Sequence, residues 1–87
     1  MALEPVIRLG DPSSHGGAMV TASTTVFANG IGTCRDGDIL ACPIHGDNPV
    51  TGTGVTIVEG RRRIVVGDQA ACGAVMIQGS PDVLCDG

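Results

Sequence analysis

Two cysteines and the chain's two histidines carry its most concentrated chemistry. Cys42 and His45 stand three positions apart in Ala-Cys-Pro-Ile-His-Gly, while His15 and Cys72 lie far from them along the chain, each followed by glycine. Two thiolates and two imidazoles make a closed tetrahedral set for one structural zinc ion, with no open position for water or substrate. Iron takes a similar sulfur and nitrogen set and is the alternative. The short Cys-x2-His spacing says little alone, because small buried cysteines and surface histidines beside turns look the same. A disulfide between Cys42 and Cys72 is disfavoured in a reducing cytosol.

The weight comes from where the four residues fall in an internal repeat. Gly10-Asp11, Gly37-Asp38 and Gly67-Asp68 recur at intervals of 27 and 30 residues, and Gly30, Gly60 and Gly87 close the segments VFANG, TIVEG and VLCDG. Fifteen positions before each closing glycine stand His15, His45 and Cys72. Val20, Val50 and Ile77 then share one column, and Phe27, Ile57 and Leu84 another. Asp11 and Asp68 each precede the potential ligand by four residues, but Asp38 precedes His45 by seven, so the middle copy carries three extra residues, Cys42 among them. Three equivalent positions around a pseudo-threefold axis would aim His15, His45 and Cys72 at one point, with Cys42 approaching along the axis.

The elements that must position these residues are short strands. Fourteen glycines and five prolines interrupt the 87 residues every few positions, and no stretch sustains helical periodicity, so the chain is expected to be all-β. Strands at Val26 to Ala28 and Thr56 to Val58 run into Asn29-Gly30 and Glu59-Gly60, which suit tight turns with positive φ. The strands after those turns cover Ile31 to Asp36 and Arg61 to Val66. The third copy stops at Gly87, and Pro5 to Leu9 supplies its missing strand, which predicts a closed ring with adjacent ends. Hairpins arranged so would cover one another's edges.

Composition makes a staple necessary. A domain of this size buries only ~60% of the surface that its unfolded chain exposes. This one has no Trp, no Tyr and the single aromatic Phe27. Small scaffolds of this kind usually depend on a metal, a disulfide or a partner. Cys34 shares a column with Ile7 and Ile64, and Cys85 with Ala28 and Val58, so both read as buried apolar residues outside the metal set.

Other features are weaker. A formal charge of −4 and the lack of aromatic platforms argue against nucleic acid. Arg61 to Arg63 reads as a solvated strand end, with an acidic partner as the alternative. Thr51 to Gly54, TGTG, lacks the Gly-Lys-Ser/Thr of a phosphate loop and reads as a turn. Asp11, Asp38 and Asp68 follow glycine at repeated corners, where aspartate caps its own turn, and no nucleophile, base and orienting group stand together, so no enzyme is expected. The first ten residues lack the basic start and apolar run of a signal peptide, and no apolar run is long enough for stable membrane insertion. The expected location is the cytoplasm at synthesis.

These residues resemble the PAAR-repeat family, whose members tip the spikes of type VI secretion systems and related contractile machines. Pro5-Val6-Ile7-Arg8-Leu9-Gly10-Asp11 looks like the family's Pro-Ala-Ala-Arg motif followed by Gly-Asp, and Gly32-Thr33-Cys34-Arg35 and Arg62-Arg63-Ile64-Val65 look like degenerate copies. The likeness extends to His15-Gly16-Gly17, Cys42-Pro43-Ile44-His45-Gly46 and Cys72-Gly73-Ala74, essentially the whole chain. It implies a small cone of β-hairpins with a metal near its apex, seated by its base on a trimeric VgrG-like spike, one tip per trimer. The family's sites are often richer in histidine than this one. Some members carry toxin domains; residues 1–87 here read as a single PAAR-repeat domain with no toxin or transmembrane extension, so effector cargo would be a separate chain. Such a protein would leave the cell with the apparatus. The rival readings are the tip of a phage tail or extracellular contractile particle, and a small metal-binding redox or regulatory protein acting alone.

Overall fold

The computed structural model describes residues 3–80 and 83–86, and among them there is no helix. Glycine-bearing turns create the first set of hairpins. Strands β3 (Phe27–Ala28) and β4 (Ile31–Gly32), with β2 (Ala18–Met19) preceding them, join through Asn29-Gly30 at φ 56° and 77°. β7 (Ile57–Val58) and β8 (Arg61–Arg62) join through Glu59-Gly60 at φ 53° and 80°. Two successive positive φ angles define the turn whose twist suits a two-residue hairpin. The third hairpin is split between the ends of the chain: β1 (Leu3–Pro5) pairs antiparallel with β9 (Leu84–Asp86). The predicted ring with adjacent ends is therefore present. Gly87 and the Cys85 side chain, both named in the repeat, lie outside the described residues.

The segments that follow the hairpins are not single strands, as the sequence suggests, because each changes partner midway. After pairing in its own hairpin, each crosses to the axis, bridging Val6 to Val65, Arg8 to Thr33 and Arg35 to Arg63. At the centre the Ile7 N–H donates to the Ile64 carbonyl (2.9 Å), Cys34 to Ile7 (2.8 Å) and Ile64 to Cys34 (3.1 Å). This is a closed triangle of backbone bonds. Ile7, Cys34 and Ile64 are all fully buried beneath it, so the column containing Cys34 is apolar as predicted. Burial, with the nearby Asp38 and Asp11 charges, pushes the Cys34 thiol far above its ordinary pKa and keeps it unreactive.

Each crossing segment ends at a Gly-Asp corner. The Asp11, Asp38 and Asp68 carboxylates accept the N–H of Arg8 (2.7 Å), Arg35 (2.6 Å) and Val65 (2.9 Å), three residues earlier. The corner aspartates do cap their turns. Arg8 and Arg35 also reach back to Asp11 and Asp38 with their guanidinium groups, and Arg35 extends to Glu59. Arg61 joins Asp38 at 3.4 Å, while Arg62 is exposed, so the basic run is only partly a solvated strand end. Thr51 to Gly54 is no phosphate loop. A Cβ on Gly52 or Gly54 would lie 2.7 Å from the carbonyl oxygen of Arg62 or Arg63, which explains the glycines by close backbone approach.

Beyond the corners three further hairpins rise side by side. The longest pairs β5 (Ile39–Cys42) with β6 (Gly46–Pro49) in register Ile39↔Pro49 to Cys42↔Gly46. β2 pairs with β5. Val50 bridges Ala70, and Ser13 bridges Met76, so the hairpin of residues 69–75 joins the middle one to the first and closes the ring. Each of these three rising hairpins is thereby bridged to both of its neighbours. The repeat register differs from the sequence alignment here. The N–H groups of Gly10, Gly37 and Gly67 donate to the carbonyls of Met19, Val50 and Met76, which are all buried, whereas Val20 and Ile77 are exposed. Asp38 and Val50 are twelve residues apart and the other two pairs eight, so the middle hairpin is longer by two residues in each arm, not by three residues before His45.

The apolar interior runs from Ile7, Cys34 and Ile64 through Met19, Val50 and Met76 to Leu40, Ala70 and Ala74, and meets Cys42 near the hairpin tips. The body measures 29 × 27 × 22 Å, compact and nearly equal in its three dimensions.

The corner charges predict acid sensitivity. Burial alone would raise the Asp38 carboxyl, but hydrogen bonds from Arg35 outweigh it and hold the group below the usual carboxylate range. Its stabilisation is then complete above the unfolded pKa of ~4 and lost as pH falls through the lower folded value. Asp38→Asn should cost ~1.5–3 kcal/mol at neutral pH. In chemical denaturation, the gap between wild type and variant should stay level above about pH 5 and narrow below about pH 4.

Candidate metal centre

All four residues singled out by type and repeat position sit at the tips of the three rising hairpins. His15 occupies the third position of a turn in which the Gly16 N–H donates to the Ser13 carbonyl (3.0 Å), and Cys72 the third position of one closed by Gly73 to Ala70 (2.9 Å). His45 ends the three-residue loop between the paired Cys42 and Gly46. A glycine at φ 83°, 78° or 92° follows each: Gly16, Gly46 and Gly73. Cys42 is the last residue of β5, with its side chain turned inward onto the apolar column, so it arrives as part of a strand.

The potential donor atoms all lie within 4.8 Å of one another. Cys42 Sγ is 3.7 Å from His15 Nδ1 and 3.6 Å from His45 Nδ1, and Cys72 Sγ is 3.9 Å from His15 Nδ1. A tetrahedron with metal–sulfur and metal–nitrogen distances of ~2.3 and ~2.1 Å has edges of roughly 3.5 Å. The separations therefore fit a single ion, and the donor set is soft enough for zinc or iron. The two imidazoles stand 5.3 Å apart between centroids and are tilted by 44°, so they are not stacked on each other.

The surroundings favour thiolate at Cys42. Burial raises its pKa, but the backbone N–H groups of His45 and Ile44, then the His45 and His15 side chains, draw it down to about 6. Cys72 is oriented by its own N–H, which donates to Asn48 Oδ1 (3.1 Å), and Asn48 in turn donates to the Gly46 carbonyl (3.0 Å). Ser13 Oγ accepts the His15 N–H (3.3 Å) and donates to the Gly16 carbonyl (2.7 Å). Sequence reasoning did not single out Ser13 or Asn48. Ser13 was legible as a hydroxyl two residues before His15; Asn48 acts across hairpins and had no local signal. Gly17 sets the closeness of the first two hairpins, since a Cβ there would lie 1.9 Å from the Ala41 carbonyl oxygen.

What the fold and cluster define is a small all-β protein of threefold internal design, with a four-donor site that can hold a metal ion where its hairpins converge. The chain belongs to the PAAR-motif family, whose model matches residues 9–78. That match takes in all four potential donors and begins just after Pro5 to Arg8. A comparison with curated proteins finds no match.

Two measurements test the centre. Gly30→Ala, at φ 77° with open space around it, should cost ~1–2 kcal/mol from backbone strain alone. Gly17→Ala adds a backbone clash, should cost more than ~3 kcal/mol, and should separate His15 from Cys42 in a crystal structure. In folded, metal-free protein, thiolate ultraviolet absorbance should rise with a midpoint near 6; Cys42→Ala should abolish that step and Cys34→Ala should leave it in place.

Proposed function

We propose that this protein is a non-enzymatic spike tip of a type VI secretion system or related contractile injection machine, seated one copy per trimer on a VgrG-like spike. The observation that carries the reading is the backbone triangle of Ile7, Cys34 and Ile64. A single chain that closes three nearly equal segments around an axis can meet a threefold partner along that axis while presenting one point at the other end. Phe27, Ile57 and Leu84, equivalent in the three basal hairpins, are 58%, 56% and 45% exposed and supply apolar surface of the same symmetry for docking. Membership of the PAAR-motif family supports this role.

His15, Cys42, His45 and Cys72 would hold one structural zinc ion, with iron the alternative metal. A bound ion would cross-link the three tips where the section is too narrow for an apolar core, supplying rigidity and no substrate chemistry. Assembly would take place in the cytoplasm, followed by expulsion with the spike. Function on this reading is shape and stiffness: the tip concentrates force on a target envelope.

Mixed with a trimeric VgrG-like spike, the chain should elute with it at one copy per three spike chains, read by light scattering. Free elution at all concentrations would reject the reading. Separately, Cys72→Ser and His45→Ala should each lose bound metal by elemental analysis and lower Tm by roughly 10 °C or more, since loss of ~3 kcal/mol shifts a domain of this size by that order. Unchanged Tm in a metal-free variant would remove the ion from the mechanism.

A further inference from the structure

The three Gly-Asp corners are not filled alike. Asp11 meets Arg8 through Nε to Oδ2 and Nη2 to Oδ1, both at 3.3 Å, and Asp38 meets Arg35 through the same atoms, both at 3.0 Å. Each is a two-pronged guanidinium–carboxylate pair. At the third corner Val65 replaces the arginine. The Asp68 carboxylate, on a residue only 5% exposed, is held by the N–H groups of Val65 (2.9 Å) and Thr53 (3.1 Å) and by the Thr53 hydroxyl, all neutral donors. Among the described residues no cationic side chain lies within ion-pairing distance of it.

A cavity of about 390 Å³ opens beside this carboxylate, lined by Thr51, Thr53, Gly67, Asp68, Gln69 and Ala70. A buried carboxylate without a counter-charge is costly, and here a space for one is provided. The filled corners act as internal templates for what fits: a planar fork with its aliphatic stem attached, not a spherical ion. This chain's five basic residues are Arg8, Arg35 and Arg61 to Arg63, and none comes within ion-pairing distance of Asp68, although Arg62 is in no ion pair and Arg63 Nε is buried without a hydrogen-bond partner.

We propose that the Asp68 corner is a binding site for an arginine side chain supplied by another protein chain. Such a residue would complete the set of three corner pairs and give the otherwise pseudo-symmetric body a single charged point of attachment, fixing its rotation about the axis. The inference goes beyond the spike-tip reading and does not require it.

The test uses the intact, metal-loaded chain labelled with nitrogen-15. Methylguanidinium chloride, and a capped Gly-Arg-Gly peptide against its citrulline counterpart, are titrated at ionic strength matched with potassium chloride. Saturable amide shifts should appear at Thr53, Gly67, Asp68 and Gln69 but not at the Asp11 and Asp38 corners, with the arginine peptide binding at least threefold more tightly than the citrulline one. Asp68→Asn should abolish them. The Asp11 and Asp38 corners serve as controls in the same spectrum even if that variant folds poorly. Absence of saturable shifts, equal shifts at all three corners, or the same response to potassium or calcium chloride would overturn the proposal.

Discussion

Three backbone hydrogen bonds, joining Ile7, Cys34 and Ile64 in a closed triangle, hold the rest of the molecule in register. Two of them pair residues 27 and 30 positions apart and the third residues 57 apart, so the triangle closes only when all three segments have come round the axis. Entropy lost in closing those loops is offset by complete removal of the three side chains from water and by capture of backbone polar groups that would otherwise lie buried and unpaired. Once the triangle exists, the basal hairpins must splay outward below it and the rising hairpins must lie edge to edge above it. A protein almost without aromatic residues thereby acquires a defined core.

The same winding decides the other end. Three hairpins packed around one axis bring their tips close together, and there the apolar column gives way to sulfur and imidazole. Leu40, Ala70 and Ala74 beneath the tips set the diameter at which Cys42, Cys72, His15 and His45 meet. With Cys42 in a fixed strand and His15 and Cys72 in tight turns, the donor atoms are arranged by backbone bonds, and a bound ion would find most of its ordering cost already met.

Departures from threefold equivalence are concentrated and informative. The longer middle hairpin carries two potential donors, Cys42 at the end of β5 and His45 at the end of its loop, which turns three-pointed convergence into a tetrahedral set. Replacement of arginine by Val65 leaves Asp68 with neutral partners while Asp11 and Asp38 keep their guanidinium forks. Glu59 takes the positive-φ turn position that Asn29 fills more easily, and its carboxylate accepts hydrogen bonds from Thr25 and Arg35 in return. The longer hairpin and Glu59 add directed polar contacts that a perfect repeat would lack, whereas Val65 takes one away.

Much of this was legible in sequence because it depends on local chemistry repeated at fixed intervals. Glycine after Asn29 and Glu59 marked two hairpin turns, the column of Ile7, Cys34 and Ile64 was legible as buried and apolar, and the segment Pro5 to Leu9 marked where the chain ends meet. His15, His45 and Cys72 were singled out by counting between repeats, and Cys42 by its place among the extra residues of the middle copy. Hairpin length was not legible: residues added in two arms look, in one dimension, like a single insertion, so Val20 and Ile77 were aligned where Met19 and Met76 lie. Nor could sequence show that one segment serves two partners, that Gly17 is needed by the Ala41 carbonyl, or that Asp68 stands beside a cavity. Those depend on distances between segments remote in the chain, which only closure of the ring fixes.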